Sequence, residues 1–515
     1  MKSTKSGQSN FIEQPTRRRI CTSWIVPLLL PWMLPAGLSL MMAGRVTAQT
    51  FTTLYNFTSP VFAGGLFTGG IGPSAGLILS GNTLFGTAGD YAFLTVFAVH
   101  TDGTGFTNLY SIFNAVNEGG VERQLSGLIL SSNTLYGKEW GSAFGAPSIG
   151  FSEVFALNTD GTGFTNLYET SVMYPASDGG GGLILSGNTL YGTTEWDGSS
   201  GNGAVFALNT DGTGFTTLYS FTARIPDNDT NSDGAFPNGL ILSGNTLYGT
   251  ASSGGSGGNG TVFALNTDGM GFTTLYSFTA TFSDPYGYGS PYSYGTNSDG
   301  SGPGGLILSG NTLYGTTEWG GSPGYGTVFA VNTDGTGFTT LYSFTGGSDG
   351  ANPYAGLILS GNTLYGTTEW GGSSGNGTVF ALNTDGTGFT VLHTFTALYG
   401  PYYSSTNSDG ANPQASLILS GNTLYGTAKN GGTNGLGTVF SIFIQPQLTI
   451  IPSGPYMILA WPTNYSGFTL QSTTNLGSSA VWATNSPPPA VIGGQNVVIN
   501  TTTTGKQQFY RLSSP

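Results

Sequence analysis

Cysteine is almost missing from this sequence: Cys21 is the single one in 515 residues. One thiol can form neither a disulfide within the chain nor a structural zinc site of thiolates. Charge is scarce too, at 7% of residues, and basic side chains are the scarcest beyond the N-terminal stretch. Residues 49–515 hold 6 Lys and Arg against 24 Asp and Glu, a formal net of −18. Such a surface cannot neutralise a phosphate backbone, so nucleic acid is excluded as a partner. An anionic membrane surface is excluded on the same ground. No Gly-rich loop is followed by a phosphate-cradling Lys motif, which argues against a nucleotide ligand. The helix formers Lys, Glu, Arg and Gln are few, so long helices are not expected.

Glycine and aromatics fill the gap. The chain has 86 Gly and 25 Pro alongside 32 Phe, 26 Tyr and 8 Trp. A disordered chain of low charge would lack those rings, so the composition is that of a folded, turn-rich, all-β protein. Residues 1–48 read as an export signal. Arg17-Arg18-Arg19 ends a basic region, residues 20–44 are uncharged, and Val46-Thr47-Ala48 supplies small residues for cleavage before Gln49. An uncleaved membrane anchor is the alternative, because the stretch is about long enough to span. Pro27, Pro31 and Pro35 favour cleavage.

Self-similarity governs the rest of the chain. The phrase Gly-Asn-Thr-Leu-Tyr-Gly or a close variant recurs with its Leu at 84, 135, 190, 247, 313, 364 and 424. Each copy reads as four short strands: a (Gly-Leu-Ile-Leu-Ser), b (Thr-Leu-Tyr-Gly-Thr-Thr), c (Val-Phe-Ala-Leu-Asn) and d (Phe-Thr-Thr-Leu-Tyr-Ser-Phe). Gly-Asn and Asp-Gly steps supply the reverse turns, and the period-2 alternation marks strands with a buried face. The phase carries the fold. Strand d first occurs at Phe51, before any a, b or c, while the last unit stops after strand c at residues 439–443. A leading d can complete the sheet that begins near Leu417, which closes a ring and hides its edges. Residues 49–444 are therefore expected to form a seven-bladed β-propeller closed by its N-terminal outer strand. A parallel β-solenoid is the lesser alternative, since repeat steps of 51 to 66 residues suit it badly.

The repeat ends near Gln445. Residues 445–515 hold apolar runs at 448–451, 456–461, 468–470, 480–482, 497–499 and 508–512, broken by prolines and Gly493-Gly494. A small β-sandwich is expected there, marginal unless docked. It brings no second apolar segment, so the mature chain is expected without membrane insertion.

Antiparallel units put the short a–b and c–d turns on one face and the variable b–c loops and d–a connections on the other. Variable loops on a fixed scaffold are where function is carried. Four b–c loops open with Glu-Trp: Glu139-Trp140, Glu195-Trp196, Glu318-Trp319 and Glu369-Trp370. A flat apolar ring beside a carboxylate suits a sugar or a peptide; the plainer role is a Trp roofing the next unit and a Glu capping a loop. Asp229, Asn231 and Asp233 precede Gly234 like the opening of a calcium loop, but Leu240 stands where such a loop needs Glu. An Asx turn accounts for the same residues, and no other cofactor is indicated. His100 and His393 occupy repeat positions and do not read as catalytic bases. The four Glu could supply a two-carboxylate pair, yet their equivalence gives no sign of the unequal pKa values that such a pair needs.

The phrases Leu-Tyr-Gly-Thr-Thr, Gly-Thr-Val-Phe and Asp-Gly-Thr-Gly-Phe resemble the bacterial Gloeobacter–Verrucomicrobium (GloVer) tandem repeat over residues 51–444. The tail, with Trp461-Pro462 and Phe509-Tyr510-Arg511-Leu512, is similar to a C-terminal β-module of verrucomicrobial exported proteins. The resemblance implies an extracytoplasmic location, secreted or at the cell surface, and carries over no catalytic residue. The expectation is an exported, non-catalytic propeller with a binding or adhesive face for glycan or protein. A polysaccharide lyase or glycoside hydrolase and a purely structural spacer are the alternatives. Oligomeric state is not legible in the sequence.

Overall fold

The computed structural model describes residues 49–59, 61–63, 66–68, 70–90, 93–113, 121–143, 150–172, 181–281, 295–401, 405–446, 448–463, 467–474, 476, 480–485, 487–493, 495–501 and 508–513. The basic leader, its apolar stretch, Cys21 and the cleavage site at 46–48 lie outside them. Among the described residues there is no helix, and none long and apolar enough to cross a membrane.

Each repeat folds as one antiparallel sheet in chain order. The sixth is representative, with Ile358–Ser360, Thr363–Thr368, Thr378–Asn383 and Thr390–Thr394 as strands a to d. In the second unit both Val121–Leu125 and Ile129–Ser131 pair with the long strand Thr134–Ala143. The last sheet, Ile418–Ser420, Thr423–Ala428 and Thr438–Phe443, takes its fourth strand from the other end of the chain, Thr50–Asn56. That strand runs antiparallel, with Thr50 opposite Phe443 and Asn56 opposite Thr438. Antiparallel sheets whose last member is completed by the first strand are not a parallel solenoid. A hairpin of Val61–Ala63 with Leu66–Thr68 follows the closing strand and was not anticipated.

Local chemistry explains the recurring phrases. In the c–d turn of the third unit, Asp211 Oδ1 accepts from the Thr213 amide at 2.9 Å and its hydroxyl at 2.7 Å. Gly212 and Gly214 take φ of 83° and 68°, which other residues adopt only under strain. The glycine inside strand b has a different cause. A Cβ on Gly315 would lie 2.6 Å from the Phe329 ring and 2.9 Å from Leu306.

A lone four-stranded sheet of this sequence would leave its apolar faces wet, and the neighbouring sheet covers them. Tyr314, Val328 and Phe344 of the fifth unit pack with Leu357, Leu364, Phe380 and Leu382 of the sixth. Phe57, Tyr425 and Val439 of the last sheet pack with Leu77, Leu84, Phe97 and Val99 of the first. The core is thus a series of inter-sheet clusters in which the last sheet meets the first. Each fully buried side chain of this kind contributes about 1.5–3 kcal/mol. The arrangement is β-propeller-like.

Two finer ladders run along the same path. A strand-d tyrosine stacks on the phenylalanine that opens strand d of the next unit: Tyr110 on Phe164 at 4.0 Å, Tyr276 on Phe338 at 3.7 Å, and Tyr55 on Phe106 at 3.7 Å. The first threonine after the strand-b glycine donates to a carbonyl entering the next strand a. Thr250 reaches Gly304 at 2.7 Å, Thr316 reaches Ala355 at 2.9 Å, and Thr427 of the last sheet reaches Ala75 of the first at 3.4 Å.

At the seam with the closing strand the tyrosine is replaced, and His393 stacks on Phe51 at 3.8 Å. Its Nε2 lies 2.9 Å from Asp409 Oδ2, where other units direct a Tyr hydroxyl at the matching carboxylate, as Tyr276 does to Asp299 at 2.8 Å. Burial pushes the Asp409 carboxyl up, but hydrogen bonds from His393 and Thr396 outweigh it and leave it below the usual carboxylate range. A folded value below the unfolded one stabilises at pH above the unfolded value, and the contribution is lost as pH falls through the folded value. The melting-temperature gap between wild type and Asp409→Asn is therefore expected to be full at neutral pH and to close in acid. A gap that ignores pH would show that the carboxylate does not hold this seam.

Beyond residue 446, Thr449–Ser453, Tyr456–Pro462, Gln495–Thr501 and Ala490–Ile492 form one sheet, and Ala483–Thr484, Thr469–Thr473 and Phe509–Ser513 another. Leu459, Trp461 and Val498 from the first share a core with Leu470 from the second. The strand expected at 480–482 lies instead at Ala483–Thr484, and Ala490–Ile492 was missed because Pro487–Pro489 precede it. Phe468 packs on the cluster that holds Leu417, Phe440 and Ile442, which joins this region to the last repeat sheet.

Candidate functional site

The b–c loops and d–a connections surround a cavity of about 480 Å³ to which every repeat sheet contributes. The residue before the Leu-Ile-Leu of strand a lines it each time, from Gly76 through Gly127, Gly182, Gly239, Gly305 and Gly356 to Ser416. The strands approach one another closely at Gly356, where a Cβ would lie 3.2 Å from Ser416 Oγ and 3.4 Å from the Gly305 Cα. The polar and aromatic side chains of any size come from the third to seventh units: Glu195, Phe236, Asn238, Glu318, Tyr354 and Gln414, while the first two units add Leu77, Ile78 and Leu128.

The Glu-Trp pairs divide. Glu195 and Glu318 line the cavity. Glu369 lies behind it, its Oε1 accepting from Gln414 Nε2 at 2.8 Å. Burial pushes the Glu369 carboxyl up, against the opposing effects of the Gln414 hydrogen bond and nearby Lys429. Trp196 packs on Phe236 at 4.3 Å, and the backbone of Trp370 pairs with Ala351 at 2.8 and 3.1 Å. Glu318 and Trp319 end a strand and do not open a loop.

Glu139-Trp140 requires a correction. Both lie inside the strand Thr134–Ala143, and both are buried. The phrase here is Tyr-Gly-Lys-Glu-Trp, one residue shorter than Tyr-Gly-Thr-Thr-Glu-Trp. Counted from the glycine, Glu139 occupies the position of Thr194, and Trp140 that of Glu195. Lys138 takes the place of the laddering threonine. Its Nζ donates to Thr193 O at 2.5 Å and to Gly181 O at 3.2 Å. Sequence reasoning passed over Lys138, although a single lysine among threonines at one repeat position was there to be read.

The calcium candidates are engaged within the chain. Asp229 receives Arg224 Nη1 on both oxygens at 2.6 Å. Asn231 Oδ1 accepts from Gly234 N at 2.9 Å and Gly255 N at 2.8 Å, an Asx-type turn. Asp233 receives the Tyr219 hydroxyl and the Thr222 amide, each at 2.8 Å. Among the described residues no group of three or more His, Cys, Asp or Glu is placed to hold a metal ion. His100 ends the strand Phe93–His100, 3.4 Å from the Thr104 hydroxyl, and His393 belongs to the seam with the closing strand.

Phe236 is the least expected wall residue. It takes φ of 59°, and the matching residues of the sixth and last units are Asn352 and Asn412 at 55° and 56°. Asparagine tolerates this left-handed region, whereas a bulky ring there is strained. The amide of Phe236 donates to Asn202 O at 2.9 Å, and the Arg224 guanidinium lies over its ring at 4.3 Å.

The model for the Gloeobacter/Verrucomicrobia repeat matches residues 148–301 and 288–451, more than half of the chain. The chain belongs to the Gloeobacter/Verrucomicrobia repeat family. Within that family, the tandem repeat is the unit that builds the sheets described above. No curated protein matches this family member in sequence. Among solved structures, it is similar to an oligogalacturonate lyase in complex with manganese, at 10% identity and a TM-score of 0.41, covering 77% of this chain and 96% of that one. It is similar to YCF48 from Cyanidioschyzon merolae at 10% identity and a TM-score of 0.39, covering 75% and 98%. An arabinofuranosidase of Fusarium graminearum gives 12% identity and 0.38, covering 72% and 92%. Likeness at that level assigns no activity to this Gloeobacter/Verrucomicrobia repeat protein.

Proposed function

We propose that this chain is an exported, non-catalytic, seven-bladed β-propeller, with a small β-sandwich after it, that binds a glycan in the central cavity of its variable-loop face. One observation carries the reading: a cavity of about 480 Å³ that sets Phe236 and Tyr354 beside Glu195, Glu318, Asn238 and Gln414. Aromatic faces suit the C–H faces of a pyranose, while carboxylates and amides suit its hydroxyls. Tyr354 lines the cavity and is 44% exposed. The blade count is supported by the repeat sheets from Ile78 to Phe443, and the export by the leader.

The test is calorimetric titration of neutral and charged oligosaccharides into the secreted chain and its Tyr354→Ala variant. An exposed side chain can be removed with little effect on folding. The variant is expected to keep its melting temperature and to lose about tenfold in affinity, the effect of about 1.4 kcal/mol. Equal binding by both proteins would remove the cavity from the reading. A glycoside hydrolase or lyase is the second reading, favoured by the raised Glu369 carboxyl near the cavity. Glycan cleavage by wild type and not by Glu369→Gln would move the function there.

A further inference from the structure

We infer that the glycan held in the central cavity carries one anionic substituent, a uronate carboxylate or a sulfate ester, which Lys429 receives in a side pocket where the last repeat sheet meets the first. The inference rests on the glycan reading and names its ligand class.

One position of the repeat carries the argument. Three residues on from the strand-b glycine, the third, fifth and sixth units have Glu195, Glu318 and Glu369, and the last unit has Lys429. The first, second and fourth have Gly89, Trp140 and Ser252. The backbone there is indifferent to this reversal of charge. Lys429 N donates to Asn412 O at 3.2 Å, as Glu369 N does to Asn352 O at 3.0 Å. What changes is the side chain and the space that it lines.

That space is a pocket of about 230 Å³, walled by Lys429, Asn430 and Leu436 of the last unit, by Ser74 of the first and by Gln124 of the second. Its wall is tied across the seam, where Gly72 N donates to Leu436 O at 3.0 Å. A whole small-molecule ligand takes roughly 300–1,000 Å³, so this pocket suits one substituent of a larger molecule. Ser74 also lines the 480 Å³ cavity, so a ligand seated there has the side pocket next to it.

The Lys429 ammonium is uncommitted. The Lys138 ammonium is directed at two carbonyl oxygens, and Arg224 holds both oxygens of Asp229. Among the described residues, the Lys429 ammonium makes neither a hydrogen bond nor an ion pair. Its charge acts on Glu369 from a distance, but that carboxylate accepts from Gln414 instead. In a region of formal net charge −18, a polyanion would be repelled, and one free ammonium can hold one anionic group. The bond it gives is charge-assisted, roughly twice as strong as one between neutral groups.

The experiment titrates three oligosaccharides into the secreted chain by calorimetry: a β-linked glucose tetramer, the same tetramer ending in one glucuronate, and the same tetramer bearing one terminal sulfate. Wild type is expected to bind at least one acidic tetramer about tenfold more tightly than the neutral one, and the tighter of the two names the group. The preference should shrink as salt is raised. Lys429→Gln is expected to bring the acidic affinities within about twofold of the neutral one, which stays as in wild type, while Lys429→Arg retains the preference. A lysine that served only to offset Glu369 would change the melting temperature on replacement and leave the ratio of affinities alone. Equal binding of the three tetramers by wild type, or a preference that survives in Lys429→Gln, would overturn the anion pocket and leave the glycan reading standing. Failure of all three to bind would overturn both.

Discussion

Deleting residues 49–57 is expected to unfold the repeat array or to drive it into aggregates, whereas removing Gln49 alone should leave the melting temperature unchanged. The closing strand pairs with Thr438–Phe443 through Asn56. It brings Phe57, fully buried, and Phe51, Leu54 and Tyr55, which pack against the clusters at the seam. At about 1.5–3 kcal/mol for each large apolar side chain, the loss rivals the 5–15 kcal/mol that holds a typical domain together. The deletion also bares the edge of Thr438–Phe443, a template for pairing with another chain. Calorimetry and size-exclusion chromatography read the two consequences. A synthetic peptide of residues 49–58 added in trans should restore part of the melting temperature. A truncated chain that stays monomeric and melts like the full one would show that closure does not hold the array together.

That strand was legible in the sequence because Phe-Thr-Thr-Leu-Tyr at Phe51 precedes any strand a, and a phrase out of phase has few places to go. The cavity was less legible, for a physical reason. Repetition reports what every unit needs in order to pack, and a site is built from what the units do not share. Phe236, Asn238, Tyr354 and Gln414 flank the proline that comes before the Leu-Ile-Leu of strand a, in Ala-Phe-Pro-Asn, Ala-Asn-Pro-Tyr and Ala-Asn-Pro-Gln. The frame of that phrase is constant and its contents vary, a signal hidden by attention to the Glu-Trp pairs. Reading from Glu-Trp also misplaced Glu139, where counting from the Tyr-Gly of strand b would have put it in register with Thr194. The acidic turns were read as Asx turns or a calcium loop. Neither idea anticipated that Asp233, Asp299 and Asp349 would each receive the hydroxyl of a strand-d tyrosine, because the partner lies 7 to 23 residues back in sequence.

Lys138 should give the stability of this protein an alkaline limb that Lys138→Thr lacks. Burial pushes the Lys138 ammonium down to about 8, with Glu195 opposing the shift. In the unfolded chain the group returns to its ordinary value of 10.5. Between those values the unfolded state binds more protons than the folded one, so stability rises with pH across that window and is flat on either side. A displacement of that size corresponds to about 3 kcal/mol, large against the stability of a domain. Threonine occupies the matching position in the other units, where its hydroxyl makes the inter-sheet bond without a charge to bury, as Thr193 does to Asn238 O at 3.1 Å. At neutral pH the threonine variant is therefore expected to be no less stable than wild type, and to lose ground as pH rises from about 8 to about 10.5. Lys138→Met separates the charge from the hydrogen bonds: it leaves Gly181 O and Thr193 O without their donor, and so it should be destabilised at every pH. Chemical denaturation of the three proteins across that range, read as differences so that tyrosine ionisation cancels, decides the matter. Parallel profiles for wild type and Lys138→Thr would show that the buried ammonium keeps its ordinary hold on the proton, its burial offset by the two carbonyls and Glu195.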